Sequence, residues 1–143
     1  MNYGIIATVV ASAIILLAIA AIIVRKRPKR LKTERYTASW RDLQKFCKDK
    51  ATWPLAVLEA DKLLDKALKM RKLKGKTMGE RLVAAQRIFK NNDDIWFSHN
   101  LAKKLKNTPD MKLKEIDVKE ALVGVRNGLK DIGALPSGEN TNS

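Results

Sequence analysis

"PLAVLEADKLLDKALKMRKL", Pro54 to Leu73, is the stretch on which the fold class turns. At about 100° per residue, Ala56, Ala60, Leu63, Leu64, Ala67 and Leu68 fall on one broad apolar arc, while Lys62, Asp65, Lys66 and Lys69 point away. Glu59 and Asp61 sit on opposite edges of that arc. Pro54 suits the first helical position, where a backbone N–H would have no partner. At the other end Gly75, in "KLKGK", offers a left-handed turn that closes the helix.

The same periodicity continues on both sides. Upstream, Trp40, Leu43, Phe46 and Cys47 share a face of a helix expected from about Ser39 to Lys50. Downstream, Thr77 and Glu80 have the spacing of a capping box, in which each side chain satisfies a free N–H near the other. Met78, Leu82, Ala85 and Phe89 follow as a buried stripe. "NNDD" then interrupts, and Asp93 is the expected cap of a helix from about Asp94 to Lys106. A last helix is expected to begin near Asp117, with Glu120 three residues on and Ala121, Leu122, Val125, Leu129 and Ile132 as its stripe. Gly124 and Gly128 lie one turn apart on it, each costing about 1 kcal/mol relative to alanine, so they imply a close helix crossing. No period-2 run occurs. Short connections between helices of this length predict an all-α, up-and-down bundle of about five helices over residues 39–135, with Trp40, Phe46, Leu64, Leu82, Phe89 and Leu129 in its core. The polar "PSGENTNS", residues 136–143, is expected to be a disordered tail.

The N-terminus is of another kind. Ile5 to Val24 is uncharged, with Thr8 and Ser12 as its only polar side chains, and at about 1.5 Å per residue it spans the roughly 30 Å hydrocarbon layer of a bilayer. "AIA" at Ala18 to Ala20 has the look of a signal-peptide cleavage site, but the basic residues follow the apolar run instead of preceding it. The expectation is a retained transmembrane anchor over residues 1–24 and a basic juxtamembrane linker over 25–38. In the linker Arg25, Lys26, Arg27, Lys29, Arg30 and Lys32 suit a membrane surface, at about 1 kcal/mol each against anionic headgroups. Their position predicts the N-terminus outside and the bundle in the cytoplasm, on the inner (plasma) membrane as a single-pass protein. A lone Cys47 fits a reducing compartment and a small buried hydrophobe.

Of 29 basic residues seven lie from Arg25 to Arg35, leaving 29 − 7 = 22; of 15 acids only Glu34 lies there, leaving 15 − 1 = 14, so the rest carries 22 − 14 = +8. Lys66, Lys69, Arg71, Lys72, Lys74 and Lys76, with Lys103, Lys104 and Lys106, are the candidate nucleic-acid or anion-binding set. Solvated lysine faces, or a bundle facing anionic lipid, account for the same charge.

The usual catalytic signatures are absent. One histidine and one cysteine at unrelated positions cannot supply a zinc site, so no metal is expected; no phosphate-cradling glycine loop occurs, and no cofactor is expected. His99 falls at the edge of the apolar face made by Ile95, Phe97, Leu101 and Leu105, where a histidine usually packs or makes a local hydrogen bond. Trp96 is read as a helix contact, with base stacking as the alternative.

"WPLAVLEADKLLDKALK", "GKTMGERL", "IWFSHNLAKKLKN" and "EALVGVRNGLKDIGAL" resemble a group of bacterial single-pass membrane proteins whose soluble part is similar to HEPN domains. These are helical bundles found in many toxin-type ribonucleases and nucleotide-binding proteins. The likeness covers about Trp40 to Leu135. It implies a catalytic helix reading like W-x-A-H-x-x-R-N-x-x-A-H, in which Trp96 and His99 match the opening. Ala102 stands at the arginine, Lys103 at the asparagine and Asn107 at the second histidine. Alanine cannot fork onto a phosphate, and asparagine cannot exchange a proton near neutral pH. The resemblance therefore implies a domain that has lost cleavage, and one that pairs with itself. An unorthodox catalytic set such as Glu59, Asp61 and His99 is what would keep ribonuclease activity. The function expected is a non-catalytic interaction module binding a protein partner or its own copy at the membrane face; the alternative is a membrane-anchored RNA binder.

Overall fold

The computed structural model describes residues 2–27 and 30–138. Among these it is all-helical, with six α-helices and no strand: α1 Tyr3–Lys26, α2 Thr33–Gln44, α3 Trp53–Met70, α4 Met78–Ala84, α5 Asn92–Asn107 and α6 Glu115–Asp131. α1 buries none of its residues in the protein. It is long and apolar enough to cross a membrane. At about 1.5 Å per residue its 24 residues make roughly 36 Å, so the basic Arg25 and Lys26 fall just beyond a roughly 30 Å hydrocarbon layer.

α3 is the axis of the bundle. α5 and α6 pack on it and on each other, α2 covers another side, and α4 sits near its end. The buried side chains form two clusters that fix the directions. Val57 from the start of α3 meets Ala102 and Leu105 from the end of α5 and Val118 and Ala121 from the start of α6. Leu64 and Leu68, further along α3, join Ile95 from the start of α5 and Val125 and Leu129 from the end of α6. Successive long helices α2, α3, α5 and α6 therefore run up and down, as the pattern predicts.

α2 begins six residues before the expected Ser39, because Tyr36, Trp40 and Leu43 form a buried stripe at positions i, i+4 and i+7. It ends at Gln44, and two short 3₁₀ turns, Lys45–Lys48 and Lys50–Thr52, complete the passage to α3. Leu31 is buried in the main cluster as well. The segment assigned to a linker as far as residue 38 thus belongs to the bundle from Leu31 onward. Lys29 and residues 139–143 of the expected tail lie outside the described residues; Pro136 to Gly138 are exposed and irregular.

Helix ends differ from expectation where two cap residues compete. The left-handed residue after α3 is Lys72, at φ 60°, where the N–H groups of Lys72 and Leu73 return to the carbonyls of Lys69 and Leu68. Gly75 also has a positive φ, 148°, and a Cβ there would meet the Glu80 Cβ at 2.7 Å and the Arg81 backbone nitrogen at 2.8 Å. Both halves of the Thr77–Glu80 capping box form. α4 stops at Ala84, and its stripe continues through turns to the buried Phe89. Asn91, not Asp93, caps α5, accepting from the Asp94 N–H, and α6 starts at Glu115, two residues before Asp117. The close crossing implied by the glycines is real. A Cβ on Gly124 would lie 2.6 Å from the Asp94 carbonyl oxygen, and one on Gly128 3.0 Å from Ile95.

Candidate functional site

Between the two apolar clusters lies a polar layer. Asp61 follows Val57 by one turn on α3, and His99 lies between Ile95 and Ala102 on α5, so antiparallel packing sets the two opposite each other. His99 Nδ1 is 2.9 Å from Asp61 Oδ1. An ionised carboxylate can only accept, so the imidazole donates from Nδ1. Asp61 is 2% exposed and His99 8%. Lys106, two turns after His99 on the same face, brings its ammonium to 3.9 Å from Asp61 Oδ2. Trp96, one turn before, meets the imidazole edge to face at 6.0 Å between centroids and packs against the main core cluster, which makes it the helix contact expected.

The fold thus brings together two members of the set Glu59, Asp61 and His99 and leaves the third out. Glu59 pairs instead with the exposed Lys62 at 2.8 Å. An Asp–His pair of this kind can hold an imidazole in one tautomer for proton transfer, either with a protein nucleophile beside it or with water or a substrate hydroxyl that reaches it. Ser98 Oγ is buried, with no hydrogen-bond partner among the described residues. Cys47 belongs to the α2–α3 passage, and burial pushes its thiol up, opposite to an activated thiolate. Among the described residues no three His, Cys, Asp or Glu side chains converge to hold a metal. At the positions the resemblance singles out, Ala102 is fully buried beside Leu105, whereas Lys103 and Asn107 are exposed.

One turn along α3, Asp65 has a different partner. Arg81, 6% exposed on α4, donates from Nε at 2.7 Å and places a second nitrogen 2.7 Å from the same carboxylate oxygen. Its remaining nitrogen bonds the Gly75 carbonyl at 2.8 Å, and Lys69 adds a contact to Asp65 Oδ2 at 2.9 Å. Burial raises the Asp65 carboxyl, and the bonds and charges of Arg81 and Lys69 outweigh it, holding it below its ordinary value. Arg81 escaped the sequence reading; its signal was a charged residue inside the stripe Met78, Leu82, Ala85.

The nine candidate anion-binding residues do not form one surface. Lys66, Lys69, Arg71, Lys72, Lys74 and Lys76 occupy the end of α3 and the loop after it, whereas Lys103, Lys104 and Lys106 close α5, which packs beside the start of α3. What lies with the first group is the tether. A groove of about 80 Å³ between α2 and α3 is lined by Lys32, Arg35, Tyr36, Ser39, Lys66 and Met70. A wider part of about 350 Å³, sharing Ser39, Leu63 and Lys66, continues to Asp42, Phe46 and Glu59. Two basic clusters far apart in sequence are one end of the bundle in space.

Compared with known proteins, the chain matches no family model, no curated protein and no solved structure.

Proposed function

We propose that this protein is a membrane-tethered, non-catalytic helical module that binds a protein partner or a second copy of itself at the cytoplasmic face of the plasma membrane. The observation that carries it is the seat of Leu31. With α1 ending at Lys26 and Leu31 already in the core, five residue steps of at most about 3.6 Å hold the bundle within roughly 18 Å of the end of α1. The cytoplasmic side follows from the basic residues after α1, and retention of α1 from their placement behind the apolar run. The non-catalytic part is supported by the burial of the Asp61–His99 pair between apolar clusters, which leaves His99 only 8% exposed.

The HEPN-like resemblance belongs to the same proposal and supplies its second reading, an RNA binder, which the basic end of α3 favours. Full-length protein in lipid nanodiscs tests both, through copies per disc and RNA binding and cleavage across salt. More than one copy per disc without RNA binding at physiological salt is the expected result. Salt-sensitive RNA binding without cleavage would install the second reading. Cleavage that disappears in folded His99→Gln protein would overturn the non-catalytic one.

A further inference from the structure

We propose that the end of the bundle formed by the first turn of α2 and the last turn of α3 is a docking surface for anionic lipid, with the groove mouth between Lys32, Arg35 and Lys66 seating a headgroup phosphate. The inference rests on α1 being inserted, as proposed above, and adds where and how the bundle meets the bilayer.

Three observations converge on this end. The first is reach: Leu31, at the foot of α2, lies within roughly 18 Å of the membrane end of α1, so the residues beside it are the first to meet the headgroup layer. The second is charge. Lys32, just before α2, and Arg35 on it line one groove with Lys66 on α3, and all three are exposed. Arg71 and Lys72 extend the positive end around the α3 terminus. One acid, Glu34, stands exposed in the same first turn of α2 but does not line the groove; Asp65 is engaged by Arg81 and Lys69, and Asp42 and Glu59 lie at the far part of the groove. The third is Met70, which is 39% exposed at the groove mouth. An apolar side chain flanked by lysines enters the boundary between headgroups and acyl chains while the ammonium groups remain at phosphate level. The cations at the end of α5 lack these companions. They sit beside the first half of α3, near Val57 and Asp61, about 14 to 20 Å along its axis from Met70 and so roughly two screening lengths of about 8 Å from the docked end.

The full chain in nanodiscs gives the test, with Cys47→Ser as background and a nitroxide attached through Met70→Cys, Lys104→Cys or, within α1, Leu16→Cys. Discs of phosphatidylcholine alone are compared with discs carrying one third phosphatidylglycerol, and collision with a neutral nickel chelate reports water access. Access at position 70 should fall several-fold in the anionic discs, return at high salt, and remain unchanged at position 104. Each basic side chain contributes roughly fivefold near such a surface, so Lys32→Glu, Arg35→Glu and Lys66→Glu together should lower the docked-to-free ratio by at least about a hundredfold. Glutamine at the same three positions should give an intermediate loss, and circular dichroism establishes that each set is folded. Equal access at position 70 in both discs, with position 16 shielded by lipid, would overturn the docking surface and leave the tether standing. Water access at position 16 would instead overturn the tether. Shielding of position 70 by added RNA but not by anionic lipid would assign the surface to nucleic acid and overturn the proposal.

Discussion

Asp61 and Asp65 lie one turn apart on α3 and have come to opposite arrangements. Asp61 faces α5, is 2% exposed and is held by an imidazole; Asp65 faces α4, has 18% of its side chain exposed and is held by a guanidinium with a lysine beside it. Taking a permanent charge out of water costs several kcal/mol per ion, so the deepest carboxylate is matched with a flat ring that can also be neutral. Arg81 is itself as buried as His99, 6% against 8% exposed, and its fixed charge is tolerated because its nitrogens bond the Asp65 carboxylate and the Gly75 carbonyl. What differs along the helix is therefore the depth of the carboxylate, not of its partner.

The largest effect should come from removing the inner partner. His99→Ala leaves a buried carboxylate with only Lys106, at 3.9 Å, and should cost about 3 kcal/mol in urea unfolding of the full chain. A loss under about 1 kcal/mol would break the contrast, since it would mean that Asp61 is already relieved by water. Leucine at both positions, His99→Leu with Asp61→Leu, should lose much less than either single change to leucine, because no unpaired charge remains.

At the rim, Arg81→Ala should cost about 2 kcal/mol, as Asp65 keeps Lys69 and solvent while the Gly75 carbonyl loses its donor. Acid acts on the outer pair. The folded Asp65 carboxyl lies below its unfolded value of about 3.9, so its stabilisation is fully present above that value and is lost as pH falls through the lower, folded one. Unfolding free energy measured from pH 5 to pH 2 should decline, and Arg81→Ala should flatten that decline. An unchanged slope would show that Asp65 is not the group responsible. The smallest change belongs to the exposed lysine: Lys69→Met should cost about 0.4 kcal/mol, no more than Lys62→Met at the surface pair with Glu59.

What was legible in the sequence was local and periodic. α3 and the capping box at Thr77 each depend on residues within a few turns, and the glycine pair on α6 marked a close crossing without naming Asp94 of α5 as what it meets. The start of α2 was hidden because Thr33 to Ser39 is polar and follows a basic run, although Tyr36, Trp40 and Leu43 carried the stripe. The site lay beyond such patterns. Asp61 and His99 are each legible at an apolar edge, but their 38-residue separation is closed only by the antiparallel packing of α3 and α5. The same applies to the basic end, where α2 and α3 fold back and unite clusters that the sequence keeps apart.

The shallow seat of Leu31 also sets what the bundle can find. A leash of five residue steps allows little excursion, so with α1 in a bilayer the bundle stays within a thin shell beside the lipid instead of a volume of bulk solution. Lateral diffusion becomes its means of search, and a partner must itself come to that shell to be met.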